Sequence, residues 1–395
     1  MASRKYDINE FEEEEGKDYL TKGSPEPIEE IYKKGKFRVV YQTNTFFLPQ
    51  LRDLIRNKSI LNIRPEYQRR LRWDNKRKSL LIESLLMNIP IPPLFFYENK
   101  MATYEVMDGQ QRLNAIDEFF NNDFKLTGLE VFGQLKGKQY GELHPVIKKG
   151  LDRASLSSII LLLESDDTER DPYLIRRYVF KRLNTGGQKL NDQEIRNCIY
   201  AGEFNNLITS LSRNSLFTKA WDIPPFNEID IDRSYEDPKR KNNTLYRNMH
   251  DCQLILRFFA LKDEENIKGS MKSMLDRCMQ KNLNITPEEK LNYEYIFLEC
   301  LELAHLIFNR RPFKIKTGKV EKVSAPLYDA TMVSLSKFLK NKSTLIEKKA
   351  FINERLQKAL NNANDYEILV GRGNTASAIK KRIELLSGIF KLAIS

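Results

Sequence analysis

Apolar residues recur at helical spacing over most of the chain, and strand-like runs fall between residues 60 and 163. Leu48, Leu51, Leu54 and Ile55 mark one face of a first helix, and residues 60–63 form a short extended piece that Pro65 ends. The pattern predicts an amphipathic helix over 76–88, with Leu80, Leu81, Ser84, Leu85 and Met87 on its apolar side. Pro90, Pro92 and Pro93 stop it, because a residue before proline is pushed out of the helical region. Strands are predicted over 94–97 and 104–107, with a helix over 111–120 between them and a further strand at 159–163. That last run is continuously apolar, which predicts a strand buried on both faces. Residues 173–183 read as helical, and Asn191 with Glu194 three residues on predicts a capped helix start.

From about residue 203 the spacing is helical almost throughout. Leu254, Ile255, Phe258 and Phe259 form one stripe, and Leu291, Tyr295, Leu298, Leu301, Leu303 and Ile307 another. Residues 330–339 and 379–390 continue the trend, with breaks near Pro224, Pro238, Pro312 and Gly371. The expected fold class is therefore α+β: a mixed-sheet domain over 37–202, then an all-α domain over 203–395. Residues 1–36 read as a flexible acidic arm, since Glu12 to Glu15 form an acidic run and a Gly-Ser-Pro-Glu-Pro stretch from Gly23 breaks any helix. No fixed-period repeat occurs, so a solenoid is not indicated.

Composition narrows the chemistry. At 395 residues the chain is long enough for two to three domains with ample core. Sixty-five Lys and Arg against 54 Asp and Glu give a net charge of +11, which makes a polyanion a plausible partner. There is no Cys-x-x-Cys pair and no His-Glu-x-x-His, which excludes zinc fingers and the commonest zinc proteases. The four cysteines sit in apolar or helical contexts and are expected to be reduced and buried. No apolar core of a signal peptide opens the sequence and no run approaches membrane-spanning length, so the expectation is a soluble, cytoplasmic protein.

Three stretches carry candidate chemistry. In the first, Asp108 ends a strand, Gly109 permits a tight turn, and Gln110, Gln111 and Arg112 open a helix. The first turn of a helix leaves N–H groups unbonded within it, at the positive end of its dipole, and a glycine lets a phosphate come close. Arg112 offers a planar fork for phosphate oxygens, and Asp108 is placed to hold Mg²⁺ or to orient Arg112. The alternative is that Asp108 caps the helix while Gln110, Gln111 and Arg112 are polar surface residues. The second stretch, IRPEYQRRLRW from Ile63 to Trp73, surrounds Tyr67 and Trp73 with four arginines, among them Arg69 and Arg72. Cations with stacking rings suit nucleotides or nucleic acid; a solvated basic face with Trp73 as a core anchor is the plainer reading. The third, Asn184, Thr185, Gly186 and Gly187, makes either an anion-binding loop or a helix C-cap. In the helical half, Arg310, Arg311, Lys314 and Lys316 form the densest basic patch, suited to DNA phosphates if it lies on one open surface.

IRPEYQRRLRW, LIESLLMNIPIPPLFFYE, YEVMDGQQRL and FKRLNTGGQKLNDQEIRN occur in that order. Over residues 45–200 the chain thereby resembles the N-terminal domain family of the GmrSD-type restriction endonucleases, whose hallmark is Asp-Gly-Gln-Gln-Arg. The resemblance implies a ParB- and sulfiredoxin-like fold, with Asp108, Gly109, Gln110, Gln111 and Arg112 at a nucleotide site. Within it, Asp108, Gln111 and Arg112 are the expected catalytic residues, with Asp108 the expected Mg²⁺ ligand. Tyr67, Gln68, Arg69, Asn184, Thr185 and Gly186 are implied as further nucleotide contacts; Arg72, from the basic and aromatic stretch itself, is an expected DNA contact. It further implies bacterial anti-phage defence, with hydrolysis of a nucleoside triphosphate tied to recognition or cleavage of DNA. A non-hydrolysing nucleotide- or DNA-binding switch, or a sensing subunit whose nuclease is a partner protein, fits the same motifs. Many members add a His-Asn-His nuclease. Here His144, His250 and His305 are scattered, and each is expected to be structural.

Overall fold

The computed structural model of the chain describes residues 8–11, 28–33, 39–63, 73–162, 174–183, 191–200, 202–226, 237–317, 320–371 and 373–395. They fall into two units: residues 24–190, and residues 1–23 together with 191–395.

In the first unit the strands are β1 (Tyr41–Phe47), β2 (Leu61–Asn62), β3 (Leu94–Lys100), β4 (Thr103–Asp108) and β5 (Ser155–Leu161). They form one mixed sheet in the order β1-β5-β3-β4-β2. β3 and β4 are an antiparallel hairpin, β3 runs parallel to β5, β4 parallel to β2, and β1 closes the far edge antiparallel to β5. The helices Leu48–Arg56, Asn75–Leu86 and Gln110–Phe120 contribute Leu48, Leu51, Ile82, Leu85, Leu113, Ile116 and Phe119 to one core, together with Leu94, Phe96 and Val106 from the sheet. Trp73 packs partly buried against the same core, as the anchor reading expected. The strand expected at 159–163 instead spans 155–161. Its first residues alternate, with Leu156, Ser158 and Ile160 buried and Ser155 and Ser157 exposed. Strand β1 was not expected at all. Its seven residues are almost wholly exposed, so no apolar alternation marks it.

A buried carboxylate fixes the connection after the Gln110–Phe120 helix. Glu83, on the Asn75–Leu86 helix, accepts hydrogen bonds from the backbone N–H groups of Glu130, Val131 and Phe132 at 2.8–3.2 Å. Burial opposes ionisation of Glu83. The three backbone donors more than offset it and hold the carboxyl below its usual range.

The second unit is helical, built around His250–Lys262, Met271–Lys281, Pro287–Ile307, Ala325–Lys337 and Ala376–Ile394. A two-stranded hairpin, Lys314–Thr317 with Val320–Val323, is the exception to the expected all-α half. The boundary expected near residue 202 lies at 190/191. The reason is the helix Asp192–Ile199, capped as expected by the reciprocal Asn191 and Glu194 bonds. It is held in the helical unit by Arg196–Asp276 at 2.8 Å and by Asn191 Nδ2 donating to the Asn248 carbonyl. The acidic arm also needs correction at residues 8–11. These form a 3-10 turn whose Glu10 and Phe11 are buried. Phe11 stacks on His250, and its carbonyl accepts from Gln253 Nε2. Ala325 N donates to the Glu10 carboxylate, and the Glu10 carbonyl accepts from Arg257. Arg257 is itself paired with Asp329 in the core.

The four cysteines are buried and form no disulfide, in line with the sequence expectation. Among the described residues no helix is long and apolar enough to cross a membrane.

Candidate functional site

The turn from β4 into the Gln110–Phe120 helix is the centre of the site. Gly109 sits at φ +100°, the left-handed region, as the helix N-cap residue. A Cβ at that position would lie 2.4 Å from Leu94 Cδ2 on β3. Glycine is therefore demanded twice, by the dihedral and by the neighbouring strand. The first helical bond runs from Leu113 N to the Gly109 carbonyl at 2.9 Å.

Arg112 is buried, 8% exposed, and its guanidinium is engaged within the protein. Nη1 donates to the Pro92 carbonyl, and Nη2 donates to the Pro93 carbonyl at 3.3 Å and to Asp108 Oδ2 at 2.6 Å. Burial pulls the guanidinium below its ordinary pKa, and the Asp108 carboxylate opposes that shift. The alternative of a surface arginine is thus excluded in this arrangement. Asp108 does not cap the helix with its side chain either. Its side chain is 41% exposed, so the pair has one dry member and one wet one.

The two glutamines reach in the other direction. Gln110 Nε2 donates to the Ile63 carbonyl at 3.2 Å, and Trp73 N donates to Gln111 Oε1 at 3.3 Å. Ile63 and Trp73 are the two ends of the arginine-rich stretch. Arg112 in turn grips Pro92 and Pro93, which lie in the second motif. Three of the four ordered motifs therefore meet at this one turn, although they are about 20 to 50 residues apart along the chain. Sequence reasoning missed the proline carbonyls. Their signal was present: a proline carries a carbonyl acceptor and no N–H donor and stops regular helix and sheet pairing, so the Pro92-Pro93 pair leaves carbonyls open to a side-chain donor.

Several expected residues lie outside the described residues: Tyr67, Gln68, Arg69 and Arg72 in the second stretch, and Asn184, Thr185 and Gly186 in the third. The basic patch of the helical unit is described in part. Arg310 and Arg311 are exposed, and Arg311 faces Glu321 at 3.6 Å. Lys314 lies 3.8 Å from both Glu321 and Asp222. Lys316 pairs in the hairpin with Glu321 through the backbone, and its side chain is outside the description. The acids Glu321 and Asp222 interleave with these cations, which the local sequence around residue 310 did not signal. Two other arginines of the helical unit, Arg240 and Arg382, are buried. Arg240 packs over the Phe226 and Tyr246 rings, and Arg382 donates to the Gly371 and Gly373 carbonyls.

The histidines hold structure, as expected. His144 Nδ1 accepts from Val146 N and caps the helix Pro145–Arg153. His250 stacks on Phe11 at 4.7 Å, and burial pushes its pKa down to about 4. His305 Nε2 lies 3.1 Å from the Leu216 carbonyl. Among the described residues no group of three His, Cys, Asp or Glu side chains is placed to hold a metal ion. That does not conflict with Mg²⁺ at Asp108, because Mg²⁺ at nucleotide sites usually takes one or two carboxylates, with phosphates and water completing its shell.

No curated protein and no solved structure matches the chain. Residues 51–201, less than half of the chain, match the family model described as GmrSD restriction endonuclease, N-terminal domain.

Proposed function

We propose that this chain is a restriction-type defence protein that binds a nucleoside triphosphate with Mg²⁺ at the Asp108–Arg112 turn and couples its hydrolysis to DNA. One observation carries the reading: Gly109, in a conformation and a space that admit no side chain, opens a helix N-terminus beside a half-exposed carboxylate. Helix N-termini attract phosphate through their unbonded N–H groups and their dipole. Asp108 holds the metal, and bound Mg²⁺ neutralises charge on the phosphates. Arg112 acts as a positioning residue. It fixes the Asp108 carboxylate and clamps the proline segment, leaving phosphate contact to the second and third stretches: Tyr67, Gln68, Arg69, Asn184, Thr185 and Gly186. The tie of Ile63 and Trp73 to Gln110 and Gln111 supports their share in the site. Arg72 and the Arg310–Lys316 patch are the proposed DNA contacts.

The test is nucleotide binding and phosphate release by the full chain, with and without DNA, for wild type and Asp108→Asn. The variant is expected to keep its fold and lose Mg²⁺-dependent binding by at least about tenfold, near 1.4 kcal/mol. Equal binding and equal release in both proteins would sink the proposal. A second reading, a nucleotide- or DNA-binding switch without turnover whose nuclease is a partner protein, is favoured by the engagement of Arg112 with Pro92, Pro93 and Asp108. It predicts tight Mg²⁺-dependent binding with no phosphate release, and co-purification with that partner.

A further inference from the structure

Strand β1 ends the sheet on one side, and its pairing with β5 is regular from Tyr41↔Leu161 to Phe47↔Ser155 with no bulge. The direction of its backbone groups follows from two flanking bonds. Leu162 N donates to the Val40 carbonyl, and Leu48 N donates to the Ala154 carbonyl. Even-numbered residues therefore bond inward to β5, and odd-numbered residues aim their N–H and C=O groups away from the sheet. The Phe47 N–H is taken by Gln50 Oε1 at 3.0 Å. That leaves Tyr41, Thr43 and Thr45 presenting their outward groups, and no hydrogen bond within the described residues takes them.

Exposed edges of this kind are normally blunted by charge, proline, a bulge or short length. β1 has none of these. Its seven residues include no charged side chain and no proline, and Tyr41 and Phe47 are 60% and 52% exposed at its two ends. We propose that this edge is a self-pairing surface: two copies of the chain join β1 to β1, antiparallel, about a two-fold axis at Thr43. A second copy is favoured because the edge is complementary to itself. Only the register centred on Thr43 uses all three outward residues on both strands, as Thr43 with Thr43, and Tyr41 with Thr45 twice. Gln42 then faces Asn44 in the intervening non-bonded pairs. Threonine pairs and amide pairs are favourable across strands, and no like charges meet, although each chain carries +11 overall. Such a pairing is isologous and closes at two copies.

Sedimentation velocity of the full chain over a concentration series tests this. A species of twice the monomer mass that grows with concentration is expected. Thr43→Lys keeps the β5 ladder and sets two ammonium groups against each other at the axis, so the dimer should be lost while the melting temperature stays unchanged. Gln42→Cys with Asn44→Cys places thiols in the non-bonded pairs, about 4.5 Å apart at Cα, within disulfide reach. Mild oxidation should then yield a covalent dimer, with little background because the four native cysteines are buried. A wild type that stays monomeric throughout overturns the proposal. So does a dimer that Thr43→Lys leaves intact, or one that the cysteine pair does not cross-link.

Discussion

Gly109 and Arg112 illustrate how much a single residue can be asked to do at this turn. A side chain at position 109 meets both a positive φ and Leu94 Cδ2 at 2.4 Å. Gly109→Ala should therefore cost roughly 2–4 kcal/mol, combining dihedral strain with overpacking. A lower denaturant midpoint with an unchanged slope would report it; an unchanged midpoint would mean that the turn has other ways to relax. Arg112 differs from the reading that its sequence position invites. In an open loop its fork would reach for phosphate. Here the Pro92 and Pro93 carbonyls and Asp108 Oδ2 have already taken it. The motif's pattern was legible, but the partner of its arginine lay 19 and 20 residues upstream, and only folding brings it there.

At the scale of elements, most helices were legible because apolar spacing and caps are local. The Asn191–Glu194 capping box and the proline stop after the Asn75–Leu86 helix are cases in point. Strand β1 was not legible, because an exposed edge carries no apolar alternation. The Glu83 cradle was equally hidden, since its three donors come from residues 130–132 of a distant loop. It sets a pH dependence. The folded carboxyl is held below its unfolded value near 4.5, so its contribution is present above that pH and is lost as pH falls through the folded value. Glu83→Gln keeps the size but turns an amide donor towards backbone N–H groups. It should cost about 1–3 kcal/mol at neutral pH and flatten the acid limb of a urea-stability profile. An acid limb identical to wild type would assign that limb to other carboxylates.

At the scale of the whole molecule, the N-terminal 3-10 turn is part of the helical unit's core. His250, stacked on Phe11, carries a second pH dependence. Its folded pKa of about 4 lies below the usual 6.5, so the unfolded chain takes up the proton first. Stability is full above about 6.5 and declines as pH falls towards 4, by up to roughly 3 kcal/mol. His250→Phe should keep the ring contact and remove most of that decline in thermal unfolding between pH 6.5 and 4. A decline of the same size in the variant would clear His250 of the effect. The Arg257–Asp329 pair lies deeper, with both side chains at 1% exposure or less. Asp329→Asn strands a buried guanidinium and should cost on the order of 3–5 kcal/mol by denaturant unfolding. A loss below about 1 kcal/mol would mean that the Glu10 carbonyl and its surroundings suffice to hold Arg257.

By itself the sequence determined that this is an α+β protein with a helical second half, that about residues 45–200 resemble one family's N-terminal domain, and that a strand, a turn at Gly109 and a helix follow one another there. Those properties rest on local spacing, on dihedral demands and on ordered motifs. The tertiary structure alone decided that Arg112 binds inward, that Gln110 and Gln111 fasten the ends of the arginine-rich stretch, and that residues 8–11 are core and not tail. It also decided that Arg240 and Arg382 are buried and that Lys314 is countered by acids. A charge in a sequence has a sign but no neighbours, and it is the neighbours that fix whether a cation meets a ligand, a carbonyl or a carboxylate.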